Sequence, residues 1–212
     1  MFSVIFDMDG TLLDTQRICV PAWEYAGRKQ GIIGMGEHVY TVCGMNENGS
    51  TAYLKNNFKD LDVPVFKSQI RKYIIDNGVV RFKPGAEELL GFLKENHIKI
   101  ALASGTSRNS INSHLSKLGI EGCFDAIVGG GDVENGKPAP DVFLKAAGLI
   151  GAAPETCFVF EDSANGIRAG HAAGMKCIGV ADLVEFDSQT KELMFTEFKT
   201  LFEGIEFFKK YI

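Results

Sequence analysis

The sequence has few of the features that mark secreted or membrane proteins. Its 212 residues include five cysteines. Because that number is odd and no Cys-x-x-Cys spacing occurs, neither a disulfide framework nor a zinc knuckle is expected. No stretch approaches the roughly 20 consecutive apolar residues of a transmembrane helix, so no membrane span is expected. The first residues lack the basic segment of a signal peptide. These absences predict a protein of the reducing cytoplasm.

The chain also lacks an excess of positive charge. It has 22 Lys and Arg residues against 27 Asp and Glu residues, a formal net charge of −5. Such a surface has no bulk attraction for nucleic acid or anionic lipid. Apolar residues make up 45% and charged residues 23%, which excludes disorder, collagen and a coiled coil as overall descriptions. The length predicts one or two domains, and a monomer is expected.

Short apolar runs alternate with helical patterns over much of the chain. The runs span residues 4–6, 98–104, 124–130, 157–162 and 176–181. Most are continuously apolar, as in strands buried on both faces of a parallel sheet, and apolar residues recur at helical spacing between them. This alternation predicts an α/β fold with a doubly wound parallel sheet and a Rossmann-like core.

Residues 15–80 have a different pattern. They contain helical-looking segments but no strong strand, and they separate the first two strands by a length that needs its own structure. We therefore expect an inserted α-helical cap domain over residues 15–80, and an α/β catalytic core formed by residues 1–14 and 81–212. The glycines of segment 44–49 fit either an inter-helix turn or a mobile loop that contacts substrate.

Acidic, hydroxyl and basic side chains follow the first four apolar runs. In the order of those runs they are Asp7 and Asp9, Ser104 and Thr106, Lys137, and Glu161 and Asp162. Because ligands of open α/β sheets bind beyond the carboxyl ends of the strands, these side chains are expected to converge at one edge. Each close pair of carboxylates would repel by about 4 kcal/mol at an effective dielectric constant of about 20, so cations are needed. Lys137 supplies one, and Mg²⁺ with oxygen ligands would supply two charges. Such a site suits a phosphoryl group.

The same residues lie in four segments that resemble the motifs of the haloacid dehalogenase-like hydrolases. In chain order the segments are Phe6-Asp7-Met8-Asp9-Gly10-Thr11-Leu12-Leu13-Asp14-Thr15, Ala103-Ser104-Gly105, Gly136-Lys137-Pro138-Ala139-Pro140-Asp141 and Phe160-Glu161-Asp162-Ser163-Ala164-Asn165-Gly166-Ile167. The helical insert lies between the first and the second, and the resemblance spans nearly the whole chain. Within the superfamily the sequence is similar to the phosphatase and β-phosphoglucomutase-like group.

The resemblance implies a role for each motif residue. Asp7 would be the nucleophile that forms an aspartyl-phosphate. Asp9 would act as general acid toward the leaving oxygen and then as general base toward water. Ser104, Gly105 and Lys137 would hold the phosphoryl oxygens.

The resemblance also implies a magnesium site. Mg²⁺ would bind Asp7, the backbone carbonyl of Asp9, and Asp162, with Glu161 as a ligand either directly or through a water molecule. Thr11 would brace the turn through its hydroxyl. Asp9 argues against the dehalogenase branch, which generally lacks the second aspartate of the first motif.

The expected function is a Mg²⁺-dependent phosphatase that acts on a small phosphorylated metabolite such as a sugar phosphate. The alternative is an isomerase of the β-phosphoglucomutase type, in which the aspartyl-phosphate passes its phosphoryl group to another hydroxyl. In that pattern a His follows the first motif and Lys and Arg flank the cap loop, whereas Cys19, Cys43 and Glu47 stand at the matching positions here. Arg17 lies close by and could partly compensate, which keeps the mutase open. A non-enzymatic binding protein is less expected, because no motif residue is missing.

Three other features carry no separate function. The four histidines share no metal-like spacing. The run Gly129, Gly130 and Gly131 lacks the Gly-Lys-Ser/Thr ending of a Walker loop, so we interpret it as a tight active-site loop. Trp23 is expected in the core of the cap.

Overall fold

The computed structural model describes residues 2–42, 45 and 47–212. The chain forms two compact units: Met1–Asp14 with Val80–Ile212, and Thr15–Val79. The division falls within one residue of the boundary expected from the sequence. Cys43, Gly44 and Asn46, which belong to the loop and mutase interpretations, lie outside the described residues.

The secondary structure is as follows. The strands are β1 (Ser3–Phe6), β2 (Lys99–Ala103), β3 (Ala126–Val128), β4 (Cys157–Glu161), β5 (Lys176–Gly179) and β6 (Thr196–Glu197). The α-helices are α1 (Cys19–Lys29), α2 (His38–Val42), α3 (Glu47–Asn57), α4 (Val63–Asn77), α5 (Ala86–Glu95), α6 (Arg108–Leu118), α7 (Asp141–Ile150), α8 (Ala164–Ala172), α9 (Ser188–Glu192) and α10 (Phe202–Phe208). Short 3₁₀ segments occupy Met35–Glu37, Glu121–Cys123, Gly130–Asp132 and Pro154–Thr156.

The strands form one parallel sheet in the order β3-β2-β1-β4-β5-β6. Phe6 of β1 stands opposite Leu102 of β2 on one side and Phe160 of β4 on the other. The strand order reverses direction at β1, which places that strand at the topological switch point where α/β sheets bind their ligands. The predicted doubly wound parallel sheet is confirmed.

Each face of the sheet is covered by helices, because the strands carry apolar side chains on both sides. One face places Val4, Phe6 and Phe160 among residues of α5, α6 and α10. The opposite face places Ile5 and Val159 among residues of α7 and α8. This double coverage explains why the runs are continuously apolar rather than alternating.

The sequence pattern missed one strand and overextended others. The two residues of β6, Thr196 and Glu197, carry no apolar run and are not fully buried, so their pairing with β5 leaves no local signal. The run expected over 98–104 ends as a strand at Ala103, and the run over 157–162 ends at Glu161. Ser104 and Asp162 therefore lie just beyond the strands.

The unit Thr15–Val79 is helical throughout its described secondary structure. Trp23 of α1 is buried and meets Phe66 of α4 edge to face, with ring centroids 5.2 Å apart. The side chain of Asp62 caps α4 by accepting a hydrogen bond from the Val65 amide at 3.0 Å. A local apolar core and a capped helix support this unit from its own residues. Of the helices within the described residues, none combines the length and apolar character needed to cross a membrane.

Candidate active site

A tight turn after β1 presents the first two acidic residues. The Asp7 amide still donates to the Phe160 carbonyl at 3.0 Å, so Asp7 extends the sheet edge. The chain then reverses: the amides of Leu12 and Leu13 donate to the Met8 carbonyl at 3.1 and 2.9 Å. Gly10 within this turn has φ 84°, a left-handed conformation that other residues adopt only at a cost. Met8, Leu12 and Leu13 are fully buried, and they anchor the turn that carries Asp7 and Asp9.

Lys137 links three strand ends through its ammonium group. Its Nζ donates to Asp7 Oδ1 at 2.6 Å, to Glu161 Oε1 at 2.6 Å and to the Ala103 carbonyl at 3.2 Å. These three acceptors match the three donors of an ammonium group. The group also lies 4.7 Å from the centre of the Phe143 ring. Lys137 precedes Pro138 through a cis peptide bond.

Both carboxylate oxygens of Glu161 accept hydrogen bonds from other protein groups. Oε1 accepts from Lys137, and Oε2 accepts from the Ser163 amide at 2.8 Å and the Ser163 hydroxyl at 2.9 Å. The carboxylate rests against Gly166 in the first turns of α8, where a Cβ atom would overlap it. The sequence left open whether Glu161 binds a metal directly. In this arrangement both oxygens of Glu161 are engaged by protein donors.

Asp9 is held by two hydroxyl groups from the loop after β2. Thr106 Oγ1 donates to Asp9 Oδ2 at 2.6 Å, and Ser104 Oγ lies 3.4 Å from the same oxygen. Ser104 Oγ in turn accepts from the Thr106 amide at 3.0 Å. Ser104 was selected from the sequence, but Thr106 was noted only as a hydroxyl near a strand end. Its position two residues after Ser104 is the signal that could have selected it.

Asp162 is connected to the first motif by Thr11. The Thr11 hydroxyl donates to Asp162 Oδ1 at 3.3 Å across 151 positions of the chain. Both residues are buried. Thr11 was expected to brace its own turn, whereas its observed partner belongs to the fourth motif.

The glycine run after β3 packs on the loop that carries Ser104. A Cβ atom on Gly130 would overlap the Gly105 carbonyl, so the two loops approach more closely than a side chain would permit. The Gly130 amide donates to the Thr106 carbonyl at 3.0 Å, and the Gly129 amide donates to Asp132 Oδ2 at 2.7 Å. The glycine run therefore packs against the loop 104–106 and supports it.

Sequence reasoning missed a second lysine–carboxylate pair at this edge. Lys83 and Asp182 form an ion pair whose side chains are 10% and 0% exposed. The Lys83 amide donates to the Leu12 carbonyl at 2.8 Å, which ties this residue to the first turn. Asp182 follows β5, so the rule applied to the first four runs would have found it if extended to the fifth.

The electrostatics of the site are dominated by buried negative charge. Burial raises the pKa of Asp7 to about 8, with Glu161 and Asp9 adding to the increase and Lys137 opposing it. Burial and the charges of Glu161 and Asp7 also raise the pKa of Asp162 well above its usual value. Burial alone would lower the pKa of Lys137, but the carboxylates of Asp7 and Glu161 outweigh it and raise that pKa. Lys137 therefore stays charged.

The donor set fits a divalent cation with oxygen ligands. Three buried carboxylates, Asp7, Glu161 and Asp162, face one buried ammonium group, and excess buried charge of this kind is costly without a counter-ion. Over residues 2–42, 45 and 47–212, however, no three His, Cys, Asp or Glu side chains already stand together as a metal-binding group. The carboxylates of Asp7 and Asp162 are, with Glu161, the oxygen donors that suit such an ion.

The structure brings the other sequence-selected residues to the same edge. Lys137 joins Asp7 and Glu161, Ser104 lies against Asp9, and Asp162 is bonded to Thr11. Gly105 lies in the loop between Ser104 and Thr106. The histidines are not part of this group among the described contacts: His38, for example, pairs with Tyr53 at 2.6 Å in the helical unit.

Comparison with known proteins relates the chain to one family. A family model described as haloacid dehalogenase-like hydrolase matches residues 4–180. A phosphorylated carbohydrates phosphatase from Thermotoga maritima is 32% identical over 181 residues, which cover 84% of each chain. A bifunctional riboflavin kinase/FMN phosphatase from Arabidopsis thaliana is 34% identical over 190 residues. That match covers 85% of this chain but 48% of the relative, so the chain spans about half the length of that protein.

A solved structure shows the same fold over almost the whole chain. The crystal structure of β-phosphoglucomutase from Clostridium difficile superposes with a TM-score of 0.79 and 28% sequence identity. The superposition covers 99% of this chain and 96% of the other. Relatives named as phosphatases and a neighbour named as a mutase therefore share one architecture, and the two activities have to be distinguished at the level of residues.

Proposed function

The chain belongs to the haloacid dehalogenase-like hydrolases, and we propose that it is a Mg²⁺-dependent phosphatase that hydrolyses a small phosphorylated metabolite. A sugar phosphate is the favoured substrate class, because a relative of nearly equal length is named as a phosphorylated carbohydrates phosphatase. The single observation that carries the proposal is the placement of Lys137 Nζ 2.6 Å from Asp7 Oδ1. It puts a buried cation beside a carboxylate that follows β1, the strand at the topological switch point.

The proposed reaction proceeds in two steps. A carboxylate oxygen of Asp7 attacks phosphorus, the bond from phosphorus to the leaving oxygen breaks, and the Asp9 carboxyl group gives that oxygen a proton. Asp9, now a carboxylate, takes a proton from water as the water oxygen attacks the aspartyl-phosphate. The bond between phosphorus and Asp7 then breaks and inorganic phosphate is released.

Residues around these two act by holding charge. The Ser104 hydroxyl, the Gly105 amide and the Lys137 ammonium group would bind the phosphoryl oxygens. Mg²⁺, held by Asp7, Asp162 and the Asp9 backbone carbonyl, would supply positive charge to the transferring phosphoryl group.

Glu161 would support this site through Lys137 instead of ligating the ion directly. It accepts from Lys137 and from Ser163 with both oxygens, which anchors the ammonium group. The helical unit Thr15–Val79 would serve as the cap that selects the leaving group.

A phosphatase screen tests the proposal. Purified protein is assayed for release of inorganic phosphate from sugar phosphates, nucleotides and glycerol phosphates, with Mg²⁺ and after chelation. Activity is expected on at least one alkyl phosphate, lost with chelator and restored by Mg²⁺. Asp7→Asn should reduce kcat by more than about 10³-fold, because an amide is a poor nucleophile. The matched control is Asp60→Asn, an exposed aspartate in the helical unit, which should leave the rate unchanged. Full activity in Asp7→Asn would exclude the proposed nucleophile.

The mutase is the second candidate, and the likeness to β-phosphoglucomutase favours it. The local residues oppose it. Glu47 is exposed and lies 3.4 Å from Lys67, so a carboxylate stands where the mutase pattern has a cation for a second phosphate. Cys19 is the other described position of that comparison, and its thiol lies 3.7 Å from the Thr15 carbonyl. Each missing charge-assisted bond would cost about 1.5–3 kcal/mol of bisphosphate binding.

β-Glucose 1-phosphate distinguishes the two activities. The protein is incubated with this ester in the presence and absence of glucose 1,6-bisphosphate. Release of inorganic phosphate without need for the bisphosphate is expected. Rapid, bisphosphate-dependent formation of glucose 6-phosphate with little free phosphate would establish the mutase instead.

A further inference from the structure

The Thr106 hydroxyl makes a short contact to the carboxylate of Asp9. Its Oγ1 lies 2.6 Å from Asp9 Oδ2, within the range of a hydroxyl that donates to an ionised carboxylate. The Ser104 hydroxyl is 3.4 Å from the same oxygen and is engaged by the Thr106 amide. The Thr106 hydroxyl is therefore the nearer of these two hydroxyls to the Asp9 carboxylate.

The backbone of Thr106 is held independently of its hydroxyl. Its amide donates to Ser104 Oγ at 3.0 Å, and its carbonyl accepts from the Gly130 amide at 3.0 Å. The close approach of Gly130 to Gly105 keeps this loop on a fixed support. A substitution that removes only the hydroxyl should therefore leave the loop in place and remove this one contact to the Asp9 carboxylate.

A hydroxyl group suits a residue that changes protonation state during turnover. It can donate to a carboxylate and accept from a carboxylic acid, so it can remain bonded to Asp9 in both states. An orienting contact of this kind matters because proton transfer depends on the position of the acid as well as its acidity. Asp9 is only half-buried, so packing alone restrains it less than a buried residue.

We propose that Thr106 is a positioning residue that orients the carboxyl group of Asp9 toward the leaving oxygen. The proposal rests on the proposed function, because it assigns Thr106 a part in the leaving-group step of a phosphatase. It predicts a defect that depends on the leaving group. An ester that expels a strongly basic oxygen needs a well-placed acid, whereas one that expels a weakly basic oxygen needs little help.

The experiment compares phenyl phosphate with 4-nitrophenyl phosphate, which differ little in shape but strongly in the basicity of the leaving group. The measured quantity is kcat/KM, since it reports the steps up to departure of the leaving group and not hydrolysis of the aspartyl-phosphate. Thr106→Val should reduce kcat/KM for phenyl phosphate about tenfold more than for 4-nitrophenyl phosphate. Thr106→Ser, which keeps the hydroxyl, should restore the wild-type ratio of the two esters to within about threefold.

Two controls separate positioning from folding and from substrate binding. Thr156→Val removes a threonine hydroxyl that donates to the Ala153 carbonyl next to the start of β4, at the opposite edge of the sheet, and should leave the ratio unchanged. Thr106→Ala serves in place of Thr106→Val if the valine variant does not fold. Inhibition by inorganic phosphate should be unchanged in the variants at position 106, because the hydroxyl is assigned to Asp9 and not to the phosphoryl group.

Each contrary result has its own meaning. If the wild type hydrolyses neither ester nor any alkyl phosphate, the proposed function is wrong. If the wild type is active but Thr106→Val lowers both esters equally, the positioning role is wrong and the phosphatase stands. A Thr106→Val enzyme that binds inorganic phosphate about tenfold more weakly would identify Thr106 as a substrate-binding residue, which also overturns the inference.

Discussion

Gly166→Ala should disable the site although it adds a single methyl group to a helix. A Cβ atom at this position would stand closer than 3.0 Å to the carboxyl carbon and both oxygens of Glu161. In an open helix interior the same change stabilises by up to about 1 kcal/mol. Here the Glu161 carboxylate would have to leave Lys137, and breaking a buried ion pair costs about 3–5 kcal/mol. The net loss is therefore about 2–4 kcal/mol.

The assay combines thermal unfolding with kinetics. A loss of this size lowers the melting temperature of a protein of this length by on the order of 10 °C. Displacement of Lys137 by about 1 Å should reduce kcat/KM by up to about 10²-fold. Gly91→Ala is the matched control, because Gly91 is a glycine of α5 whose added Cβ would have no neighbour within 4 Å. It should be as stable as the wild type or slightly more stable, with unchanged activity. If Gly166→Ala behaved like Gly91→Ala, the role given to Glu161 as the anchor of Lys137 would be refuted.

Two further outcomes concern stability. Lys83→Met should lower the free energy of unfolding by about 3–5 kcal/mol, because it removes the cation beside the buried Asp182 side chain. Urea unfolding measures this loss. The double variant that also carries Asp182→Asn should recover most of it, because the neutral amide no longer needs a cation. Asp132→Asn tests how the free energy of unfolding depends on pH in the acidic range. The Gly129 amide, followed by the charge of Arg108, lowers the pKa of Asp132, so its contribution is present above about pH 4 and is lost as the pH falls through the folded-state value. The difference in unfolding free energy between wild type and Asp132→Asn should therefore be largest near neutral pH and shrink below about pH 4; a constant difference would contradict this.

The sequence alone was sufficient for the fold class and for placing several candidate site residues just beyond the strands. Parallel strands buried on both faces leave continuous apolar runs, and their carboxyl ends all meet at one edge. Local pattern therefore placed Asp7, Ser104 and Glu161 at the same edge without any knowledge of the packing. What the sequence analysis missed also has identifiable reasons. The short edge strand β6 buries too little to leave a pattern, and Asp182 was passed over because only the first four runs were followed to their ends.

Only the tertiary structure decided which partner each site residue takes. Thr11 reaches Asp162 across 151 positions, and Thr106 reaches Asp9 across 97. The orientation of Glu161 was also decided there, since Lys137 and Ser163 donate to its two oxygens. A sequence specifies which groups are present at an edge, because that follows from strand direction. Which donor meets which acceptor depends on distances of a few tenths of an ångström between distant segments, and those are set by the packing of both faces of the sheet.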